Sequence, residues 1–147
     1  MGDDFLGAFA VVTRGDRYLL VANNRRIDGR MQRTWDLPGG RVEAGELLHE
    51  ALRRELREET TMSMRGEPSF LFVQEGERVQ GGERQYAWRS FFFAVEADGE
   101  PAAAHEVHDV RWMTAAEVEA DCHAPYHDSF REWLRSGGAL FVSRWVD

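Results

Sequence analysis

The sequence predicts one α/β domain over residues 1–147, in which a β-sheet packs against helices. The length suits a single domain, and a hydrophobic content of 43% is enough for a core. Strand-like and helix-like segments follow in the order strand, strand, helix, three strands, two helices and a last strand. Because strands and helices do not alternate strictly, a Rossmann-type sheet is not expected.

The first two strands are predicted as a hairpin. Segments 5–13 and 18–22 are rich in apolar and β-branched residues, and the glycine-containing segment 14–17 between them favours a turn. The arginine-rich segment 23–34 has two interpretations. It is either a solvated loop or an electropositive rim that binds phosphate, in which Arg26 contacts the substrate.

A helix is predicted over residues 46–59, after a tight turn that contains Pro38, Gly39 and Gly40. Good helix formers occupy the whole segment. Glu55, Glu58 and Glu59 follow an i, i+3, i+4 spacing, so they share one face, and that face also carries the apolar residues.

This placement of three carboxylates is unusual. Charged residues normally lie opposite the apolar stripe, like charges at this spacing repel, and negative charge opposes the dipole at a helix C-terminus. A divalent cation that takes oxygen ligands would offset these costs. Neutralisation by Arg57 or by a distant arginine is the alternative.

The second half of the chain is predicted to be mostly strands. Segments 70–73, 85–95, 106–112 and 139–146 have strand patterns, and 74–84 is expected to be a loop. Strand 85–95 is unusually aromatic. Core packing explains this, and the alternative is that Trp88 or Tyr86 stacks on a base.

Two short helices are predicted near the C-terminus. A capping box at Thr114 and Glu117 starts the first, which reaches about residue 120. The second begins at Asp128 or Ser129 and ends at Ser136, before two glycines.

Composition excludes several classes of function. The net charge of −8 argues against broad binding of nucleic acid and against a polybasic membrane anchor. All 18 basic residues are arginine, so a P-loop lysine and a lysine Schiff base are excluded. No signal peptide or membrane-spanning run is visible, so a soluble cytoplasmic protein is expected.

Cysteine and histidine suggest little chemistry. Cys122 is the single cysteine, which rules out an internal disulfide. His123 and His127 have an i, i+4 spacing, but Pro125 interrupts a continuous helix. They are interpreted either as a zinc pair or as solvated loop residues.

The central segment resembles the Nudix box, the signature of the Nudix hydrolase family. That pattern has nine defined places, and eight of them fit. The exception is Thr61, where the family has glycine. A β-branched residue is disfavoured in a left-handed conformation, so either the local turn differs or the chain is strained there; we expect an altered helix exit. The nine places fall on Gly40, Glu46, Arg54, Glu55, Leu56, Glu58, Glu59, Thr61 and Met62.

The resemblance implies the Nudix fold, a mixed β-sheet sandwiched between α-helices. It also implies that Glu55, Glu58 and Glu59 bind Mg²⁺ or Mn²⁺, which would lower the cost of attack by water on a phosphoanhydride. The Gly39 carbonyl maps to a further ligand, and Arg54 and Glu46 map to residues that orient the cluster. Glu55 is the candidate general base.

The family often draws one more carboxylate from outside the box. Glu106 is the first choice here and Glu83 the second, the latter as a substrate contact together with Arg26 and Arg41. The predicted reaction is hydrolysis of a nucleoside diphosphate linked to X, with nucleoside tri- or diphosphates favoured. The alternatives are a non-catalytic module that binds a nucleotide or protein, or another reaction on the same scaffold. A homodimer is left open.

Overall fold

Two β-sheets and three α-helices are built from residues 2–146, the part of the chain that the computed structural model describes. In chain order the elements are β1 (Phe5–Val11), β2 (Thr13–Arg14), β3 (Arg17–Ile27), β4 (Arg30–Asp36), β5 (Gly39–Arg41), α1 (Leu48–Thr60), β6 (Ser63–Gln80), β7 (Glu83–Asp98), β8 (Asp109–Thr114), α2 (Ala115–Asp121), a 3₁₀ turn (Pro125–His127), α3 (Asp128–Ser136) and β9 (Leu140–Val146).

The larger sheet is mixed, with the strand order β5-β1-β7-β6-β9. Strands β1 and β7 pair in parallel, as do β6 and β9, whereas β6–β7 and β1–β5 are antiparallel. The smaller sheet is antiparallel, with β3 between β4 and β8 and a short pairing to β2. The register of β1 places Phe9 beside Gly39, so the glycine turn lies at a sheet edge.

Both faces of β1 are apolar, because small and large apolar residues alternate along the strand. Helices therefore pack on both sides of the larger sheet. Ala8 and Ala10 face α1, where Leu52 and Leu56 are fully buried. Phe9 faces the opposite way, into a core that also contains residues of α2 and α3. The predicted mixed sheet between helices is therefore confirmed, and the structure adds the second, antiparallel sheet.

Helix α1 begins at Leu48, two residues later than predicted. The Glu50 carboxylate caps its start by accepting a hydrogen bond from the Leu47 amide at 2.8 Å. The helix ends at Thr60 and is capped by Thr61, whose φ of 65° and ψ of 0° place it in the left-handed region. The expected change of the helix exit is therefore wrong. The threonine adopts the backbone that suits glycine, which is a strained conformation for a β-branched residue.

Two segments predicted as loops are strands. Segment 23–34 forms the outer halves of β3 and β4, with a turn at Asp28 and Gly29, and segment 74–84 forms the end of the β6–β7 hairpin. Both ribbons are polar and charged, so backbone pairing determines their structure while the apolar alternation that signals a strand is weak.

The remaining boundaries shift by a few residues. The strand predicted over 106–112 starts only at Asp109, so Glu106 lies in the preceding loop. The Thr114 capping box is present, since the Thr114 hydroxyl accepts a hydrogen bond from the Glu117 amide. Helix α3 spans Asp128–Ser136, as predicted. Among the described residues, every helix is too short or too polar to cross a membrane.

His127 is buried at 0% exposure, so the solvated-loop interpretation of it is wrong, and the described residues do not gather three metal-binding side chains around it. Its ring packs edge-on against Phe9, with centroids 4.7 Å apart. Burial lowers the pKa of His127 to about 4, although the nearby Asp36 carboxylate opposes that shift.

We predict that replacing Thr61 by glycine stabilises the protein. The substitution relieves the left-handed strain, and the added flexibility of the unfolded chain offsets part of the gain, which leaves about 1 kcal/mol. The measurement is the free energy of unfolding in urea. Thr13→Gly, at an exposed strand position, is the matched control and should destabilise the protein; equal effects of the two substitutions would contradict the assignment of strain.

We also predict a pH dependence of stability that belongs to His127. In the unfolded chain the His127 imidazole binds a proton below about pH 6.5. In the folded chain it does so only below about pH 4, because its pKa is lowered to about 4. The free energy of unfolding therefore falls by about 3 kcal/mol as the pH drops through this window. A His127→Gln variant lacks this contribution but keeps every other titrating group. Urea unfolding of both proteins between pH 7 and pH 4 tests it, and parallel pH profiles would refute it.

Candidate active site

The glutamates of α1 face a cavity of about 290 Å³, here called the carboxylate cavity. Strand β3, the loop before α1, the second half of α1 and the loop before β8 supply its walls. The residues that line it are Asn23, Glu43, Arg54, Glu55, Glu58, Glu59, His105, Glu106 and Val107.

The helix positions these carboxylates at different depths. Leu52 and Leu56 are anchored in the core, and this orientation of α1 keeps the side chain of Glu55 at 17% exposure and that of Glu58 at 41%. Glu59 reaches β5, where its Oε1 accepts a hydrogen bond from the Gly39 amide at 2.7 Å. The helical spacing thus yields two half-buried carboxylates and a more exposed one.

Burial is the main cause of the electrostatic state of the two inner glutamates. It raises the pKa of Glu59 to about 8. The hydrogen bond from Gly39 lowers this pKa in part, and the neighbouring Glu55 raises it further. Burial also raises the pKa of Glu55, while Arg54 opposes the shift. Both sites therefore favour a positive partner, which would stabilise the charged carboxylates.

Arg54 is the cation that the described residues bring to this cluster. Its Nε and Nη2 bind both oxygens of Glu46, at 2.7 and 2.9 Å, and its Nη1 contacts Glu55 at 2.9 Å and Glu58 at 3.4 Å. The bidentate contact lowers the pKa of Glu46 to about 2. Arg54 and Glu46 therefore hold the edge of the cluster in place.

The donor set suits a hard divalent cation, because it consists of carboxylate oxygens next to a close-packed glycine turn. A Cβ at Gly40 would lie 2.8 Å from Glu55 Oε1, so any larger residue would displace this carboxylate from its present position. In the present conformation, no three acidic, histidine or cysteine side chains among residues 2–146 already converge on an ion position. Glu55 and Glu58 both contact the Arg54 guanidinium, at 2.9 and 3.4 Å.

The loop before β8 adds Glu106 to the same cavity. Its backbone is fixed to the end of α1, because the Ala102 amide binds the Thr60 carbonyl at 2.9 Å and the Ala104 amide binds the Glu59 carbonyl at 3.2 Å. These bonds satisfy carbonyls that the helix end leaves free. They also place His105 and Glu106 at the rim of the cavity.

A second cavity of about 140 Å³, here called the aromatic cavity, is lined by Gly39 and Gly40, and the Gly39 amide also binds Glu59 of the carboxylate cavity. The Arg41 guanidinium lies over the Phe5 ring at 4.5 Å and that of Arg25 over the Tyr126 ring at 5.2 Å. Such a surface suits a flat, polar ring with acceptor atoms. The cavity is lined by Phe5, Phe9, Arg25, Gly39, Gly40, Arg41 and Tyr126.

Two of the candidate substrate contacts lie elsewhere. Arg26 donates to the Gly29 carbonyl at 3.0 Å and lines a separate surface hollow, while Glu83 stands at the tip of the β6–β7 hairpin. Trp88 is fully buried, with Nε1 bound to Gln74, so it cannot stack on a ligand. Burial also raises the pKa of the Cys122 thiol to about 12, which leaves it unreactive.

Sequence reasoning missed the contributions of Asn23, Asp36 and Tyr126, and it considered Arg25 only as part of the arginine-rich rim. Asn23 and Arg25 are two apart on one strand, so their side chains share a face. Recognising β3 to its full length would have paired them. Tyr126 gives no local signal, because it meets Phe5 only through the tertiary fold.

Comparison with known proteins agrees with this architecture. The model of the NUDIX domain matches residues 4–134. The chain is 32% identical over 98 residues to a provisionally named mutator protein, MutT4, of Mycobacterium tuberculosis (strain CDC 1551 / Oshkosh), covering 63% of this chain and 38% of that protein. It is 41% identical over 54 residues to a provisionally named 8-oxo-dGTP diphosphatase of Bacillus subtilis (strain 168), covering 37% of this chain and 33% of that protein. The matches thus span about a third of the length of these curated relatives.

Solved structures share the fold. The MutT protein of Bacillus halodurans superposes with a TM-score of 0.76 at 22% identity, over 97% of this chain and 89% of that one. The E. coli ORF135 protein does so with a TM-score of 0.73 at 23% identity, over 91% and 90% of the two chains. With the family model matched over most of its length, and with the box glutamates on α1 facing one cavity, this chain belongs to the Nudix hydrolase family.

Proposed function

We propose that this chain is a divalent-metal-dependent pyrophosphohydrolase that cleaves a phosphoanhydride bond in a nucleoside diphosphate linked to X. Nucleoside tri- or diphosphates are the substrate class. The observation that supports this most is the pairing of two half-buried carboxylates, Glu55 and Glu59, with an aromatic cavity lined by Gly39 and Gly40. A nucleotide needs both features within reach of one another.

Glu55, Glu58 and Glu59 would hold Mg²⁺ or Mn²⁺, with Glu106 and the Gly39 carbonyl as further ligands. The bound metal would neutralise phosphate oxygens and acidify a water molecule. Arg54 and Glu46 fix the outer edge of the cluster, because their bidentate contact is short and shielded from solvent on one side.

Glu55 is the proposed general base. It is half-buried, its pKa is raised by burial, and Arg54 keeps it oriented at 2.9 Å. An ionised carboxylate within hydrogen-bond reach of the attacking water can accept its proton. The chain thus supplies orientation and charge, which is most of what phosphoryl transfer requires.

The aromatic cavity would take the base of the nucleotide. Phe5 and Tyr126 provide ring surface, and Arg41 and Arg25 place positive charge beside it. Arginine forks match carbonyl and phosphate acceptors. The name of the Bacillus subtilis relative, an 8-oxo-dGTP diphosphatase, supports testing guanine nucleotides first.

A non-catalytic module that binds a nucleotide or protein is the second candidate, since fold alone does not fix function. The carboxylate cluster argues against it, because pure binding gives no reason to bury two glutamates without a matching number of arginines. Calorimetry that detects tight nucleotide binding, with no turnover of a nucleotide panel in Mg²⁺ or Mn²⁺, would favour this candidate.

We predict that Glu58→Gln and Glu59→Gln each lower kcat by about a hundredfold or more, because either change removes a charge from the metal-binding face while keeping the side-chain shape. The measurement is Mg²⁺-dependent release of phosphate or pyrophosphate from dGTP, dATP, dCTP and dTTP.

Glu50→Gln is the matched control, since it makes the same chemical change on the exposed face of α1 and keeps an acceptor for the Leu47 amide. It should retain wild-type turnover. Unchanged turnover in both the Glu58 and Glu59 variants would overturn the assignment of the metal site.

A further inference from the structure

Asp36 is the most deeply buried carboxylate between the two cavities, with 1% of its surface exposed. It ends strand β4, three residues before Gly39. One of its oxygens, Oδ2, accepts hydrogen bonds from Asn23 at 2.8 Å, from Arg25 Nε at 3.2 Å and Nη2 at 2.9 Å, and from Thr34 at 3.4 Å. A buried charge with this many donors is strongly localised.

The donors that meet on Asp36 serve different cavities. Asn23 lines the carboxylate cavity, and Arg25 lines the aromatic cavity. The register of β3 and β4 places Val21 opposite Asp36, so Asn23 and Arg25 follow on the same strand face and reach the same carboxylate. One atom therefore connects the wall of the metal-binding cavity with the wall of the proposed base cavity.

Arg25 needs this support because its other contact, with the Tyr126 ring, does not fix the orientation of the guanidinium. Its guanidinium lies over the Tyr126 ring, and a cation over an aromatic face can slide and rotate. Nε and Nη2 are both bound to Asp36, which fixes the plane of the guanidinium. Nη1 donates no hydrogen bond to any of the described residues. It is therefore available to donate to an acceptor atom in the aromatic cavity.

We propose that Asp36 is a positioning residue. It acts through Arg25 to orient the base of a bound nucleotide, and through Asn23 to keep that base in register with the carboxylate cavity. This inference rests on the proposed function, because it assigns the aromatic cavity to the base. It adds a positioning pair, Asp36 and Arg25, in which Arg25 donates to an acceptor atom of the base; guanine, whose O6 and N7 acceptors lie side by side, suits such a donor.

Asp36→Asn tests the inference because it keeps the size of the side chain and an acceptor oxygen while removing the charge that holds Arg25. We expect its affinity for dGMP, measured by calorimetry, to fall about tenfold, the usual scale for a hydrogen bond to a charged group. Mn²⁺ affinity, measured by electron paramagnetic resonance without nucleotide, should change less than about twofold, because Asp36 orients the base and is not a proposed ligand.

Arg25→Gln and the Arg25→Gln/Asp36→Asn double variant separate positioning from stability. The double variant should bind dGMP as weakly as Arg25→Gln alone, since Asp36 acts through Arg25. It also removes both charges together, so it folds even if a single change leaves a buried charge unpaired. Asp98→Asn, in the exposed Arg65–Asp98 pair at 2.7 Å, is the matched control and should bind dGMP like the wild type.

Three results would overturn the role of Asp36. The first is that Asp36→Asn binds dGMP as tightly as the wild type. The second is that the losses of affinity in the two single variants add up in the double variant. The third is that the wild-type chain does not bind dGMP. Failure of the wild type to hydrolyse any nucleotide of the panel would instead contradict the proposed function. Wild-type turnover of dGTP with an unaffected Asp36→Asn variant would contradict only the positioning role.

Discussion

The site depends on one contact, the hydrogen bond from the Gly39 amide to Glu59. It joins the last turn of α1 to the edge strand β5, and so fixes the helix that carries the carboxylates against the turn that separates the two cavities. The contact does not fully offset the cost of burying Glu59, whose pKa remains raised to about 8. A fold optimised for stability alone would place an apolar residue there.

The surroundings show how the chain tolerates this cost. Arg54 contacts Glu55 and Glu58 while Glu46 fixes Arg54, and the loop before β8 satisfies the last carbonyls of α1. Thr61 and His105 adopt positive φ angles of 65° and 54° at either side of this junction. Strain and buried charge are thus concentrated where the helix end, the loop and the cavity meet, as is common at functional sites.

The helix and its glutamates could be predicted because their signal is local: spacing within one helix sets which side chains share a face. The mixed sheet between helices followed from the family resemblance. The polar ribbons at the ends of β3–β4 and β6–β7 could not be predicted, since backbone pairing forms them without apolar alternation. The aromatic cavity was also hidden, because Phe5, Arg25 and Tyr126 come from three distant segments whose meeting is a property of the whole fold.

Paramagnetic broadening by Mn²⁺ in the NMR spectrum of the isotope-labelled chain tests the central claim, that the inner face of α1 binds a divalent metal, most directly. Binding at this face should broaden the amide signals of Gly39, Gly40 and the last two turns of α1 at substoichiometric Mn²⁺. The amides of β9, which lies at the far edge of the larger sheet, should stay sharp. Uniform weak broadening, or broadening centred on another acidic surface, would contradict the account.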